Sequence, residues 1–455
     1  MIAVDRRYPP PAGKPCEFRF PTYRRSRLAS GLELILAPRS GAPLAEALLL
    51  LPAGGERNPR ERPGLSALTA ALVDEGTARR TGLELALEIE RLGASLATSA
   101  GWDAAQIELS LLASDLDVGL ERLAEIAREP SFPESEVERL RGQWLADLFR
   151  RRDQPASLAD EALQAQLYAG TPYEHRLVGT EQSLGAIARD EIAGFHEAGY
   201  RSRGATLLVG GEFDEERLLA LVEPLFASWE SSARLPAPAF EPRRPGTRRV
   251  IVVDLPHAAQ VELRVGQVGV PKTHADRTRL GVLNALLGGK FTSRLMLNLR
   301  ERHGYTYGVS SRFVDRRGPG PFVIAAAVGN DVAGAALGEI FSELDRLRAE
   351  AVEPDELRET RDYLTGVFPY TLQTMDGLLG RLADLAVYGL PDDYFETWLA
   401  DVRSVGAEEL LELAERHLEP ELATIVAVGP APVLLPQLAR FGEIAVVSPA
   451  DPRVD

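Results

Sequence analysis

LLGGKFTSRLMLNLRERHGYTYGVSS, residues 286–311, predicts a helix that stops at a glycine and is followed by a strand. Arg300 falls in the last turn of this helix, and Gly304 suits the position just beyond its end, where a left-handed backbone is common. Tyr307 is predicted to begin the strand, seven residues after Arg300. The pair Gly288 and Gly289 lacks the spacing of a phosphate-binding loop, because a lysine follows it directly, and predicts a tight turn instead.

The chain around this segment repeats an earlier part of itself in order. Each copy contains an apolar strand, a charged loop and an apolar helix, then a long charged helix begun by proline and acidic residues, then a buried strand with a glycine turn and a helix. The matching ranges are 45–77 with 260–292, 132–145 with 352–365, and 205–226 with 423–441. Such a repeat in order indicates two homologous halves.

A proline-rich stretch, ESSARLPAPAFEPRRPGTRR at residues 230–249, divides the two halves and predicts an extended linker. The predicted fold class is α+β, with each half packing helices on a mostly antiparallel sheet. The predicted domains are residues 1–229, the linker 230–249 and residues 250–455. A cleft between two such halves is a favoured place for a ligand.

The composition excludes several classes of protein. A net charge of −16 over 455 residues argues against nucleic acid or an anionic membrane as a partner, and it mildly favours basic ligands. An acidic surface that serves only solubility explains the same charge. Cys16 is the only cysteine, which excludes an internal disulfide and a thiolate zinc cage. With no visible signal peptide or membrane-spanning run, we expect a cytoplasmic protein.

Four segments together resemble a known family. They are residues 55–77, GERNPRERPGLSALTAALVDEGT; residues 138–155, ERLRGQWLADLFRRRDQP; residues 173–184, YEHRLVGTEQSL; and residues 286–311, quoted above. This pattern resembles the pitrilysin/insulinase-type zinc peptidases, which include the mitochondrial processing peptidases. The last segment is the most specific of the four, and the resemblance covers nearly the whole chain.

The resemblance implies a degenerate zinc site. Residues 64–77 predict a helix that stops at Gly76, and active members of the family carry H-x-x-E-H on this helix. Here the three motif positions are Ala67, Ala70 and Ala71, and Asp147 stands where the family has its third ligand, a glutamate. Methyl groups cannot bind metal, so we expect no metal in this chain.

Two further features agree with this loss. The six histidines contain no pair spaced three or four residues apart; they are His175, His196, His257, His274, His303 and His417. The resemblance also implies that residues 93–110 hold a sheet-edge segment to which substrate adds as a strand. Ala97 and Ala100 replace the polar residues of the family's pattern there.

The second half retains its motif. In the family, the arginine and tyrosine at the positions of Arg300 and Tyr307 reach across a central chamber to the zinc site. There the guanidinium holds a substrate carbonyl and the phenol donates to the oxyanion. Without the resemblance, Arg300 would be expected to pair with a glutamate on its own helix, and Tyr307 to be a half-buried strand residue.

A lost zinc site beside a retained Arg/Tyr pair predicts one half of a split enzyme. We expect a zinc-free subunit of a heterodimeric zinc metallopeptidase, whose partner is a homologous chain that bears H-x-x-E-H and holds the zinc. Arg300 and Tyr307 would bind and act on an unfolded peptide in trans. The alternatives are a non-enzymatic scaffold homologue and a peptide-binding protein that acts alone.

Overall fold

The computed structural model describes residues 18–229, 233–238, 240–242 and 246–451. Cys16 and parts of the predicted linker lie outside these ranges. Across the described residues, no helix combines the length and the apolar character needed to cross a membrane.

The first half contains six strands and eight α-helices within its described residues. The strands are β1 Arg24–Arg27, β2 Glu33–Pro38, β3 Leu44–Leu51, β4 Ser95–Ala100, β5 Ala105–Leu112 and β6 Thr206–Gly211. The helices are α1 Leu65–Leu72, α2 Gly82–Arg91, α3 Leu116–Arg128, α4 Glu134–Arg151, α5 Pro155–Tyr168, α6 Glu181–Ala186, α7 Arg189–Gly199 and α8 Glu215–Phe226.

The second half also contains six strands, with seven α-helices in the part of the chain that is described. The strands are β7 Arg249–Asp254, β8 Val261–Val268, β9 Val309–Phe313, β10 Pro321–Val328, β11 Thr424–Gly429 and β12 Glu443–Val447. The helices are α9 Arg277–Asn284, α10 Ala333–Ala349, α11 Pro354–Tyr370, α12 Met375–Tyr388, α13 Tyr394–Ser404, α14 Ala407–His417 and α15 Ala431–Leu438. Two π-helical turns, Ala285–Gly289 and Met296–Arg302, lie between α9 and β9.

The two sheets have the same strand order. The first runs β1-β2-β6-β3-β5-β4 and the second β12-β7-β11-β8-β10-β9. In each sheet the second strand of this order is parallel to the third, which are β2 and β6 in the first sheet and β7 and β11 in the second. The remaining pairs, from the third strand to the sixth, are antiparallel. The sheets differ at one edge, where β1 is antiparallel to β2 but β12 is parallel to β7. The predicted α+β fold of two similar halves is confirmed; the exact domain boundaries stay a prediction.

The central strands of each sheet are buried on both faces, because each half lends a helix to the other. Leu163 of α5 packs in one cluster with Val253 and Val426 of the second sheet. Leu382 of α12 packs in another with Leu208 of the first sheet. Strands buried on both faces read as continuous apolar runs. This explains why β3 and β11 show no polar alternation.

A glycine in β8 permits the close approach of α5. A Cβ on Gly266 would lie 2.7 Å from the Leu163 Cδ2 atom, nearer than carbon atoms approach. The strand therefore lacks a side chain at the point where the helix crosses it. A larger residue there would push the two halves apart.

Asp103, in the turn between β4 and β5, joins the halves by hydrogen bonds. Its carboxylate accepts from the Tyr173 hydroxyl at 3.1 Å, from the Arg317 backbone N–H at 3.0 Å and from the Tyr388 hydroxyl at 3.2 Å. The Arg317 guanidinium also bonds the Asp103 carbonyl and, at 3.1 Å, the buried Glu56 carboxylate. Burial raises the pKa of both tyrosines, so their hydroxyls remain donors at neutral pH.

Replacing Asp103 tests how far this junction stabilises the fold. Asp103→Ala leaves three donors without their acceptor, and such orphaned buried groups lower the free energy of unfolding by about 3–5 kcal/mol. Tyr388→Phe removes one donor and its effect is expected to be about 1 kcal/mol. Urea unfolding of the full chain measures both. An Asp103→Ala variant as stable as the wild type would show that the junction is not a stabilising contact.

Candidate functional site

Helix α1 carries the three positions that the sequence analysis predicted to be a degenerate zinc site, Ala67, Ala70 and Ala71. Its leucines at 65, 68 and 72 belong to the core of the first half, as predicted. The helix ends at Leu72, however, so the predicted stop at Gly76 is wrong. The chain leaves the helix because Thr77 is held elsewhere: its hydroxyl donates to Glu125 at 2.7 Å, and its backbone bridges to Pro130.

The residues of the family's zinc site do not fit a metal in this chain. Ala67 and Ala70 are buried and Ala71 is partly buried, and their methyl groups offer no ligand atom. Asp147 lies on α4, where its carboxylate pairs with Arg150 one turn later. Zinc in proteins is held by several nitrogen, sulfur or oxygen ligands. One ion-paired carboxylate beside three methyl groups does not provide such a set.

The sheet-edge segment of the first half is where the sequence predicted it. β4 is the last strand of its sheet and pairs with β5 alone among the named strands. Ala97 and Ala100 both lie in β4 and add no hydrogen-bonding side chain to it. Thr98, on the same face of the strand as Ala100, donates its hydroxyl hydrogen to Asp74 at 3.2 Å. The edge position is confirmed, and a role in binding peptide stays a prediction.

Arg300 and Tyr307 follow a well-defined helix end. Arg300 lies in the last turn of the π-helical segment Met296–Arg302, as predicted. Gly304 has a φ of 64° and donates its N–H to the Arg300 carbonyl at 3.1 Å, so it ends the helix as expected. The next residue, Tyr305, donates to the Leu299 carbonyl at 2.8 Å.

Tyr307 does not begin a strand, contrary to the prediction. β9 starts at Val309, because the Thr306 hydroxyl donates to the Ala327 carbonyl at 2.6 Å and accepts from the Gly308 N–H at 3.1 Å. These bonds form a turn outside the sheet. The side chain of Tyr307 therefore projects into solvent and is 86 % exposed, which also rules out the half-buried strand residue of the alternative interpretation.

The arginine and the tyrosine meet in a stack with a third residue. The guanidinium carbon of Arg300 lies 4.9 Å from the ring centre of Tyr307 and 4.9 Å from that of Phe291, within the range of cation–π attraction. Its Nε atom also lies 3.5 Å from Glu301, so the pairing expected on its own helix exists but is weak. Phe291 was not singled out in the sequence. The sequence feature that could have indicated it is an aromatic residue in a glycine-containing loop. In the structure the side chain of Phe291 is 64 % exposed.

A cleft of about 570 Å³ lies between the halves, lined by β3, β5 and α12. It is acidic at one end. Burial, together with the nearby carboxylates of Asp376 and Glu108, raises the pKa of Glu46 to about 7. Burial also raises the pKa of Asp384 in the same cleft. Carboxyl groups that share a poorly hydrated space stay protonated to a higher pH, because burial and neighbouring negative charge both disfavour the ionised form.

The same cleft is also lined by a partly buried cation, Arg316. The guanidinium of Arg316 lies 4.7 Å from the ring centre of Trp102 and 4.8 Å from that of Tyr173, and burial lowers its pKa. The aromatic faces replace part of the water that the charge has lost. Arg316 therefore belongs to the contacts around Asp103. Its guanidinium is not placed to act as a nucleophile or as a base.

At the start of α9, His274 and Asp276 meet a third potential ligand residue that is distant in the sequence, His417. The Asp276 carboxylate bonds His417 Nε2 at 2.7 Å and accepts from Arg416 at 2.8 Å, and the Asp276 N–H donates to His274 Nδ1 at 3.1 Å. Among the described residues this is the one group whose spacing suits a metal. Each of these ligand atoms is already hydrogen bonded, and the Asp276 carboxylate is paired with the Arg416 guanidinium. The cluster therefore ties α14 to α9.

Comparison with known families identifies the architecture. The family described as "Insulinase (Peptidase family M16)" matches residues 34–181, and the one described as "Peptidase M16 inactive domain" matches residues 186–364. The chain belongs to the M16 peptidase family. Together with the inactive-domain match and the relatives described below, this makes it an inactive homologue of the M16 peptidases.

Individual M16 relatives match over nearly their whole length. An uncharacterized zinc protease of Rickettsia felis is 23% identical over 89% of this chain and 97% of its own. A protein of Helicobacter pylori named "Non-peptidase homolog YmxG" is 22% identical over 83% of this chain and 87% of its own. The crystal structure of a peptidase M16 inactive domain from Pseudomonas fluorescens, 24% identical, superposes with a TM-score of 0.84 over 90% of this chain and 98% of that one.

The raised pKa of Glu46 makes the stability depend on pH. Since the folded-state pKa of about 7 exceeds the ordinary value of 4.5, the folded protein binds this proton more tightly. The free energy of unfolding therefore falls as pH rises between these values. Glu46→Gln is expected to stabilise the chain at pH 8 by about 1 kcal/mol, since solvent screens part of the effect, and to change little at pH 5.

Urea unfolding at pH 5 and pH 8 measures the effect of Glu46→Gln on the free energy of unfolding. The control is Glu90→Gln, at an exposed position on α2, which is expected to leave the free energy of unfolding unchanged at both pH values. Equal effects of Glu46→Gln at pH 5 and pH 8 would refute the assignment.

Proposed function

We propose that this chain is the zinc-free subunit of a two-chain M16 metallopeptidase and supplies Arg300 and Tyr307 in trans. The observation that carries the proposal is the stack of Phe291, Arg300 and Tyr307, which leaves Tyr307 86 % exposed. An aromatic side chain that serves only the fold is expected to be buried. This tyrosine is instead held outward beside a cation, in reach of another molecule.

The chemistry of the pair suits hydrolysis of a peptide bond. The Arg300 guanidinium has donors that can hold substrate carbonyl oxygens. The Tyr307 phenol can donate to the oxyanion that forms when water attacks the scissile carbonyl. The zinc of the partner subunit would supply the activated water. Within this chain the two residues therefore bind and polarise, and no residue of α1 replaces the missing base.

Two other functions remain as rivals. A scaffold homologue would keep the fold for assembly only, and the name of the Helicobacter pylori relative, a non-peptidase homologue, favours a chain without catalysis of its own. A peptide-binding protein would use the same exposed stack without any partner. The proposal differs from both because it requires Arg300 and Tyr307 to change turnover by a second, zinc-bearing chain.

Variants of the pair in the assembled enzyme test the proposal. Tyr307→Phe removes one oxyanion donor and is expected to lower kcat about 10²–10³-fold without changing heterodimer assembly. Arg300→Ala is expected to raise KM as well, since a guanidinium that holds a carbonyl acts in the bound substrate too. Steady-state kinetics on a flexible peptide, with the two chains mixed at saturating ratio, give both constants.

Tyr305→Phe is the matched control, because it removes a phenol two residues away whose ring stacks on His303 at 4.9 Å. It is expected to leave kcat unchanged. If Tyr307→Phe and Arg300→Ala turn over like the wild type in the mixture, the proposed role is wrong. If they lower stability while turnover stays normal, the pair is structural.

A further inference from the structure

Four arginines from three separate segments of the chain converge on the first half. The segments are the 3-10 turn before α1, the turn between α7 and β6, and the described start of the linker. The residues are Arg57, Arg201, Arg203 and Arg234, which we call the arginine cluster. The charges of the other three members all act on the guanidinium of Arg201, so the four side chains lie close together.

Packing beneath the cluster holds the three segments together. A Cβ on Gly199, the last residue of α7, would lie 2.8 Å from the Ala53 Cβ and 2.9 Å from the Leu235 Cδ1 atom, nearer than carbon atoms approach. The glycine therefore lets the turn after α7 lie between the other two segments. Arg57 also joins its segment to the linker, because it donates to the Pro236 carbonyl at 2.9 Å. The cluster is thus positioned by the backbone of all three segments.

The charges within the cluster are poorly compensated. In the described part of the chain no carboxylate pairs with Arg201 or Arg203, and the Nε atom of Arg201 is buried without an acceptor. Glu56 lies 3.3 Å from the Arg57 Nε atom, but it also pairs with Arg317 at 3.1 Å and is therefore shared between two cations. Burial and the repulsion of the neighbouring guanidiniums both lower the pKa of Arg201. Such an arrangement favours an anion between the arginines.

The chemistry of the side chains and the charge of the chain together indicate which anion fits. The planar guanidinium group presents paired N–H donors that match the oxygens of phosphate. The net charge of −16 opposes long polyanions and anionic membranes, whose charges extend well beyond the cluster. At physiological salt, charges act over only about 8 Å, so a compact anion responds mainly to the four arginines. These conditions favour a short chain of phosphates.

We propose that the arginine cluster binds a compact polyphosphate, supplied either as inorganic triphosphate or as the phosphate chain of a nucleoside triphosphate. Arg201 contacts the phosphate oxygens from its half-buried position, and Arg203 and Arg234 close over them from the surface. Because Arg57 and Arg234 belong to different segments, the bound anion also fastens the linker to the first half. The site contains no residue of the Arg300 stack, so it does not depend on the proposed function.

Isothermal titration calorimetry of the isolated full chain tests the site. The ligands are phosphate, pyrophosphate and triphosphate in a metal-free buffer at constant ionic strength, and Kd is expected to fall as the anion gains charge. Arg201→Gln is expected to raise Kd for triphosphate about tenfold or more, since hydrogen bonds between charged groups are lost. Arg201→Lys retains the charge and is expected to raise Kd less than Arg201→Gln does.

Arg91→Gln is the matched control, because it removes the same charge at an exposed position at the end of α2. It is expected to leave Kd unchanged. If Arg201→Gln does not fold by circular dichroism, Arg203→Gln at its exposed position decides, with a smaller rise in Kd expected.

Titration with ATP distinguishes the two sources of the phosphate chain. Where Arg201→Gln weakens both ligands, tighter binding of ATP identifies a nucleotide, and equal or tighter binding of triphosphate identifies the inorganic anion. The proposal is overturned if the wild-type chain binds neither ligand at millimolar concentration. It is also overturned if Arg201→Gln leaves Kd unchanged, or if Arg91→Gln raises Kd as much as Arg201→Gln does.

Discussion

Each sheet is covered on one face by a helix from the other half, and the rest of the structure depends on this exchange. Helices α5 and α12 complete the cores of the opposite sheets, so neither half buries its own strands alone. The hydrogen bonds at Asp103 close the same junction from its polar side. The two halves therefore form one body, and the relative placement of their functional faces is set by packing rather than by the linker.

Within that body the two halves have kept different chemistry. In the first half, helix α1 is packed into the core, and the positions predicted to have held zinc carry methyl groups. The second half retains a cation between two exposed rings, a feature that contributes little to the core. Since exposed aromatic side chains lower solubility without stabilising the fold, their presence favours an interaction with another molecule. The asymmetry is what a divided active site would produce.

Much of this architecture could be predicted from the sequence. The ordered repeat indicated the two α+β halves, and Gly304 marked a helix end. These features depend on local periodicity and backbone preference, which a short window of sequence contains. The positions of the degenerate metal residues followed from the resemblance to the family.

The errors came from contacts between distant residues. Tyr307 lies outside β9 because Thr306 bonds a carbonyl on β10, and α1 ends early because Thr77 is held by Glu125. The exchange of α5 and α12 and the cluster around Asp276 likewise join segments far apart in the chain. Local patterns carry no information on such partners, so these features required the three-dimensional structure.

Titration of a purified H-x-x-E-H-bearing subunit with this chain tests the central claim most directly. Peptide hydrolysis is measured per zinc subunit as the amount of this chain increases. If this chain supplies half of the active site, activity is very low without it, rises with each addition and becomes constant at an equimolar ratio. A zinc subunit that is fully active alone, and unchanged by the added chain, would contradict the account.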